Sequence, residues 1–133
     1  MTVELRMLMS SVAFGMAHIV LTAHSASRQR GYRWTASPRD QVVPPLTGVS
    51  GRVERGLQNF LETFPFFIAA ILAANALELH NAYTEWGALL YFWGRVVYLP
   101  LYAFGIRIVR SIAWNVATLG IVLLVVSIFV ERW

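Results

Sequence analysis

Residues 52–77 read RVERGLQNFLETFPFFIAAILAANAL. The second half is apolar apart from Asn75, and the first half carries Arg52, Arg55, Asn59 and Glu62. At about 100° per residue, offsets of 0, 3, 7 and 10 fall within an arc of roughly 80°. A helix here therefore aligns these four along one narrow stripe, with Glu54 and Gln58 off it near the start. From Leu57 to Leu77 the stretch is long enough for a membrane crossing, which takes about 20 mostly apolar residues over a hydrocarbon layer of roughly 30 Å. Charge inside such a segment costs several kcal/mol and marks a functional candidate by default.

Three more stretches of the same kind flank it: Leu5 to Ala23, Trp86 to Ile106 and Ile112 to Val130. The expected architecture is an all-α membrane protein, a four-transmembrane-helix bundle forming a single integral membrane domain over residues 1–133, with spans at about 5–23, 57–77, 86–106 and 112–130. Composition agrees. Apolar residues make up 57% and charged residues 14%, against about 45–50% and about 25% in soluble domains, and the mean hydropathy is +0.56. That excludes an ordinary water-soluble globule, and disordered chains are poorer still in apolar residues. There is no Cys, which removes disulfides, thiolate metal sites and a cysteine nucleophile. Every basic residue is Arg, so neither Schiff-base chemistry nor a phosphate-loop lysine is available. The formal charge of +4 is bunched between apolar runs, which indicates membrane topology and no nucleic-acid partner.

Arg28, Arg30, Arg33, Arg39, Arg52 and Arg55 lie between the first two spans, and Arg107 and Arg110 between the last two. The middle connection holds Glu78, His80 and Glu85, with no Arg. The positive-inside rule puts the Arg-rich connections in the cytoplasm and both termini on the opposite side. The first span is too long, and followed by too many others, to read as a cleaved signal peptide. A bacterial inner membrane is the expected location. The long first connection contains Gly31, Pro38, Pro44, Pro45, Gly48 and Gly51, which predicts an ordered but irregular loop and a second helix starting near Ser50.

A second stripe, Arg95, Tyr98 and Tyr102, lies on the third span. Arg95 falls near mid-span, and Glu62 is its candidate partner. Two readings follow. The Arg–Glu pairs fix helix register and do nothing else, or the stripes together with Arg110 line a pocket for a carboxylate-bearing ligand, which guanidinium groups bind bidentately. His18 and His24 are too few for a metal site and are expected in interhelical hydrogen bonds, as are Asn75 and Asn115. His80 is expected to be solvated. Trp34, Trp86, Trp93, Trp114 and Trp133 read as an interfacial belt, and Ser10, Gly15 and Ala17 as a close-packing surface.

The segment from Arg52 to Phe67, with its Arg55, Asn59 and Glu62 followed by Phe64-Pro65-Phe66, resembles the signature of the MAPEG family, the membrane-associated proteins of eicosanoid and glutathione metabolism. A second similar motif is Arg95-Val96-Val97-Tyr98, then Tyr102, then Arg110-Ser111 after a Gly-containing turn. The resemblance covers nearly the whole chain. It implies a homotrimer of four-helix protomers that binds glutathione as co-substrate between adjacent subunits near the cytoplasmic side. It further implies that Arg55, Asn59, Glu62 and Arg95 hold the tripeptide, that Tyr98 and Tyr102 contact it from the neighbouring subunit's third helix, and that Arg110 stabilises the thiolate. Arg28 and Arg30 correspond loosely to arginines that touch a glutathione carboxylate. The implied activity is a glutathione-dependent transferase or peroxidase acting on an apolar electrophile that arrives from the membrane lipids. The alternative is a non-catalytic accessory or structural subunit that retains the fold.

Overall fold

In a computed structural model, which describes residues 1–132, the chain forms four long helices and one short one. These are α1 (Val3–Arg30), α2 (Tyr32–Ala36), α3 (Gly48–Ala76), α4 (Ala82–Ala103) and α5 (Ile108–Arg132). Their ends follow from local chemistry. The Thr2 hydroxyl accepts from the Leu5 amide at 3.3 Å to open α1. Gly31, at φ 97°, turns the chain out of α1 into α2, a backbone state that suits residues without a Cβ. Asn81 and Thr84 close a reciprocal capping box at the start of α4. As expected, the second long helix begins inside the irregular connection, at Gly48. That connection is tied back to α1: Gln29 donates to the Thr47 carbonyl at 3.2 Å and accepts from the Thr47 amide at 2.8 Å. Leu46 is buried beneath it.

Three helices, Val3–Arg30, Gly48–Ala76 and Ile108–Glu131, are long and apolar enough to cross a membrane. The expected third span falls on α4, whose Glu85, Arg95 and four tyrosines lower its hydropathy. Some of its polar groups turn inward: Thr84, Tyr91, Arg95 and Tyr98 are buried, whereas Tyr83 and Glu85 are exposed. Beside the apolar core, the same pattern recurs on the other helices. Glu4, Ser11, His18, Thr22, Ser27 and Ser127 are buried, whereas Met9, Met16, Ile19, Leu72, Val122, Val126 and Phe129 are exposed. Polar-in, apolar-out packing suits helices whose solvent is lipid, where polar side chains find partners only on other helices.

The core joins α3 to α4. Phe67 stacks on Tyr91 with ring centroids 4.0 Å apart, and the Tyr91 hydroxyl meets the Thr63 hydroxyl at 3.1 Å. Phe60, Ile71, Ala88 and Leu124 complete it. α4 and α5 approach most closely along Gly87, Gly94, Ala117 and Gly120. A Cβ on Gly87 would lie 2.7 Å from the Gly120 carbonyl oxygen, and one on Gly94 would lie 2.9 Å from the Ala117 Cβ. On α1, Gly15 does pack closely, against the Phe60 ring. Ala17 does not, because it falls outside the inward face formed by Leu8, Ser11, Gly15, His18 and Thr22.

The Arg-poor end holds a polar tie, in which His80 takes part while staying exposed as expected. The buried Glu4 carboxylate accepts from the Thr84 hydroxyl at 2.6 Å and from His80 Nδ1 at 3.3 Å. Asn81 in turn donates to Ser127 at 3.0 Å and to Glu131 at 2.6 Å, so α1, α4 and α5 are joined there. Glu4→Ala is expected to lower stability by about 1–3 kcal/mol, because the Thr84 and His80 donors lose a buried acceptor. The midpoint of thermal unfolding in detergent reads this, and an unchanged midpoint would show the tie to be idle.

Candidate functional site

At the Arg-rich end, the α3 stripe faces the end of α4 and the start of α5. Arg52 Nε donates to the Ala103 carbonyl at 2.8 Å, satisfying an otherwise open carbonyl where α4 stops. One turn on, Arg55 Nε donates to the Tyr102 hydroxyl at 3.3 Å. Arg95 Nη1 donates to Asn59 Oδ1 at 2.7 Å. The Arg95 guanidinium also lies 4.4 Å from the Tyr98 ring centroid and 5.6 Å from that of Phe60. From α5, Arg110 lies over the Tyr102 ring at 4.5 Å, and Tyr98 and Tyr102 are 5.5 Å apart. Asn59, Tyr98, Tyr102, Arg110, Ser111, Trp114 and Asn115 line a recess of about 280 Å³.

Arg55, Asn59, Arg95, Tyr98, Tyr102 and Arg110 are thus brought together within one chain. The anticipated Arg95–Glu62 pair is not formed. Asn59, about one turn earlier on the same stripe, takes the Arg95 guanidinium, and Glu62 is exposed. Glu62 instead lines the mouth of a long apolar groove of about 530 Å³ between α3 and α5, walled by Thr63, Phe66, Trp114, Thr118, Ile121 and Val125 among others. Trp114 belongs to both spaces, so the polar recess and the apolar groove share a wall. Arg28 and Arg30 line two other recesses. The first also holds His24, Ser25, Gln29, Tyr32 and Ser50. The second holds Arg33, Trp34, Arg39 and Asp40.

Other expectations divide. His18 Nε2 donates to the Val53 carbonyl at 3.1 Å, an α1–α3 bond, and His24 meets the Tyr32 hydroxyl at 3.2 Å. Asn115 was expected to join helices, but its amide donates to the Ser111 carbonyl on its own helix at 2.8 Å, and Asn75 is exposed. Trp86 and Trp93 are exposed, Trp86 near the start of α4 and Trp93 at its middle. Trp114 is half-buried against the recess instead, Trp34 lies between two guanidiniums, and Trp133 falls outside the described residues. Sequence reasoning did not assign Trp114 and Asn115 to the site. The available signal was their spacing from Arg110 and Ser111: offsets 0, 1, 4 and 5 share one helix face.

Chemically, the recess is lined by one cation, Arg110, with hydroxyl and amide groups, and Arg95 and Arg55 stand behind it, bonded to the lining residues Asn59 and Tyr102. Among the described residues, no carboxylate pairs with Arg55, Arg95 or Arg110. Arg95 Nε and Trp114 Nε1 are buried donors with no acceptor. A buried guanidinium left with one neutral partner costs several kcal/mol unless an anion completes it. The arrangement can therefore hold an anionic molecule with several acceptor oxygens, and Arg110 stands where it can stabilise a further negative charge.

The MAPEG family model matches residues 7–130. No match is found among curated proteins. The match runs from the first turns of α1 to the end of α5 and takes in both polar stripes, on a helical chain with three apolar helices of membrane-crossing length. The chain is an integral membrane protein belonging to the MAPEG family.

Proposed function

We propose that this protein is a glutathione-dependent membrane transferase or peroxidase. The observation that carries the reading is a small recess lined by Arg110, with Arg95 and Arg55 bonded to its lining residues Asn59 and Tyr102 and no described carboxylate paired with any of the three. Glutathione suits such a site: it has two carboxylates, two amides and a thiol that works as a nucleophile only once deprotonated. Arg55, Asn59 and Arg95 hold the carboxylate and amide groups, Tyr98 and Tyr102 contact the peptide, and Glu62 takes the amino group. Arg110 lowers the thiol pKa by placing a positive charge beside the sulfur. Binding beside the electrophile turns a bimolecular encounter into an oriented one.

The apolar groove that shares Trp114 with the recess supports an apolar second substrate drawn from the lipid. In conjugation, the thiolate forms an S–C bond as an epoxide C–O or a carbon–halogen bond breaks. In peroxide reduction, the sulfur attacks the O–O bond and the lipid alcohol leaves with a proton. The resulting sulfenic acid then condenses with a second glutathione to give the disulfide and water.

In this reading all four long helices cross the membrane, α4 included, with spans at about 5–23, 57–77, 86–106 and 112–130. Residues 1–133 form one integral membrane domain that assembles as a homotrimer. The Arg-rich end lies in the cytoplasm of a bacterial cell, and both termini lie across the inner membrane. Arg28 reaches a bound glutathione only from a neighbouring protomer.

Glutathione-dependent thermal stabilisation of the detergent-solubilised protein tests the reading. At 100 times its dissociation constant, a ligand that binds only the folded state contributes about 2.7 kcal/mol. An unshifted midpoint at millimolar glutathione would favour the accessory-subunit reading.

A further inference from the structure

We propose that the loop after α1 holds the phosphodiester headgroup of an anionic membrane lipid, in a recess separate from the one beside Arg110, and that Arg30 serves this site and not a glutathione carboxylate. Arg30, Gly31, Arg33, Trp34, Ser37, Pro38, Arg39, Asp40 and Gln41 surround a recess of about 560 Å³. Two guanidiniums flank one indole: Arg30 lies 5.1 Å and Arg39 5.6 Å from the Trp34 ring centroid. Arg39 is fixed there by Nε, which donates to the Thr35 carbonyl at 3.2 Å, and by its own amide, which donates to the Ser37 hydroxyl at 3.2 Å. Its backbone is held at φ 63°, a conformation rarely adopted by residues other than glycine.

Two donors in this recess have no acceptor. Arg30 Nε and Trp34 Nε1 are both buried and unbonded, although Arg30 Nη2 reaches the Pro44 carbonyl at 3.5 Å. Arg33 is exposed and makes no described hydrogen bond or ion pair. Asp40 is the one carboxylate lining the recess, against three arginines, which leaves an excess of positive charge. An anion with several acceptor oxygens offsets that charge.

Depth selects a lipid as its source. At 1.5 Å per residue, Arg30 lies about 10 Å beyond Ala23, the end of the apolar part of α1, at the outer edge of a headgroup layer of roughly 5–8 Å, where a long arginine side chain reaches back to the phosphates. An indole beside arginines at that depth matches how Trp and Arg anchor proteins at the membrane surface.

The test uses the full chain in neutral detergent, with thermal midpoints followed as phosphatidylglycerol, phosphatidylcholine or inorganic phosphate is added. Phosphatidylglycerol is expected to raise the midpoint saturably, phosphatidylcholine to do so weakly, and inorganic phosphate not at all. Arg33→Gln/Arg39→Gln is expected to bind phosphatidylglycerol about 30-fold more weakly, from two basic residues near an anionic headgroup. Arg6→Gln, at the opposite end of α1, is expected to leave binding unchanged. If the double variant does not fold, Arg33→Gln alone gives an expected loss of about fivefold. Equal shifts with phosphatidylcholine, a shift reproduced by inorganic phosphate, or undiminished binding by the arginine variants would each overturn the proposal.

Discussion

Arg110→Ala is expected to leave the bound glutathione largely as the thiol. In the wild type, mixing with glutathione should produce the thiolate absorbance at the ultraviolet edge, and in the variant that band should be nearly absent at neutral pH. Arg110 lies over the Tyr102 ring at the rim of the recess and has no described carboxylate partner, so its charge is available to a ligand. A free thiol of this kind ionises near pH 8.5. A neighbouring cation favours the anion and lowers that value, so the wild-type thiolate persists to lower pH. Removing the cation moves ionisation back up, and the variant's rate should climb with pH through about 8.5, where the wild-type rate is already level. Loss of one charge-stabilising donor at a reacting centre typically lowers turnover by about 100- to 1000-fold. A variant that ionises the thiol as fully as the wild type would take Arg110 out of this role.

Gly120→Val is expected to be the most damaging single substitution in the bundle. A Cβ at Gly120 would lie 2.7 Å from the Tyr91 backbone nitrogen and nearer still to the Gly87 carbonyl oxygen. Neither backbone atom can swing aside, so α4 and α5 would have to separate. Overpacking of this kind costs about 1–3 kcal/mol where the core can adjust, and more where it cannot. The seam also sets how Tyr98 and Tyr102 on α4 meet Arg110 on α5, so residual folded protein should lose glutathione binding as well. Thermal unfolding in detergent, alongside a glutathione titration, reads both effects. A midpoint within a degree of wild type would show that the helices tolerate more separation than the geometry allows.

Much of the site could be read in the sequence because its residues repeat at helical spacing within single segments. Arg55, Asn59, Arg95, Tyr98 and Tyr102 were grouped by period, and they do meet. What periodicity cannot supply is the register of one helix against another. Asn59 and Glu62 are three residues apart on the same stripe, and which of them faces Arg95 depends on how α3 slides along α4 by about one turn. That offset is fixed elsewhere, by Phe67 on Tyr91 and by Thr63 bonding to the Tyr91 hydroxyl.

The Glu4 cluster was hidden for a similar reason. Its partners His80 and Thr84 are 76 and 80 residues away, and nothing local marks them. The α4–α5 seam left a fainter trace, since Gly87, Gly94, Ala117 and Gly120 are small residues at roughly helical spacing, the composition that lets helices meet backbone to backbone in lipid. Trp114 misled because an indole near a span end fits the interfacial belt as well as a pocket wall.

The most direct test of the central claim, that the unpaired arginines of α3, α4 and α5 form an anion site for a thiol peptide, is a structure of the protein in lipid nanodiscs saturated with glutathione. The account predicts density for the tripeptide in the recess lined by Asn59, Tyr98, Tyr102 and Arg110, with ligand carboxylates at hydrogen-bonding distance, about 2.7–2.9 Å, from Arg55 or Arg95 and the sulfur beside Arg110. An empty recess at saturating glutathione, or tripeptide bound away from these arginines, would contradict it.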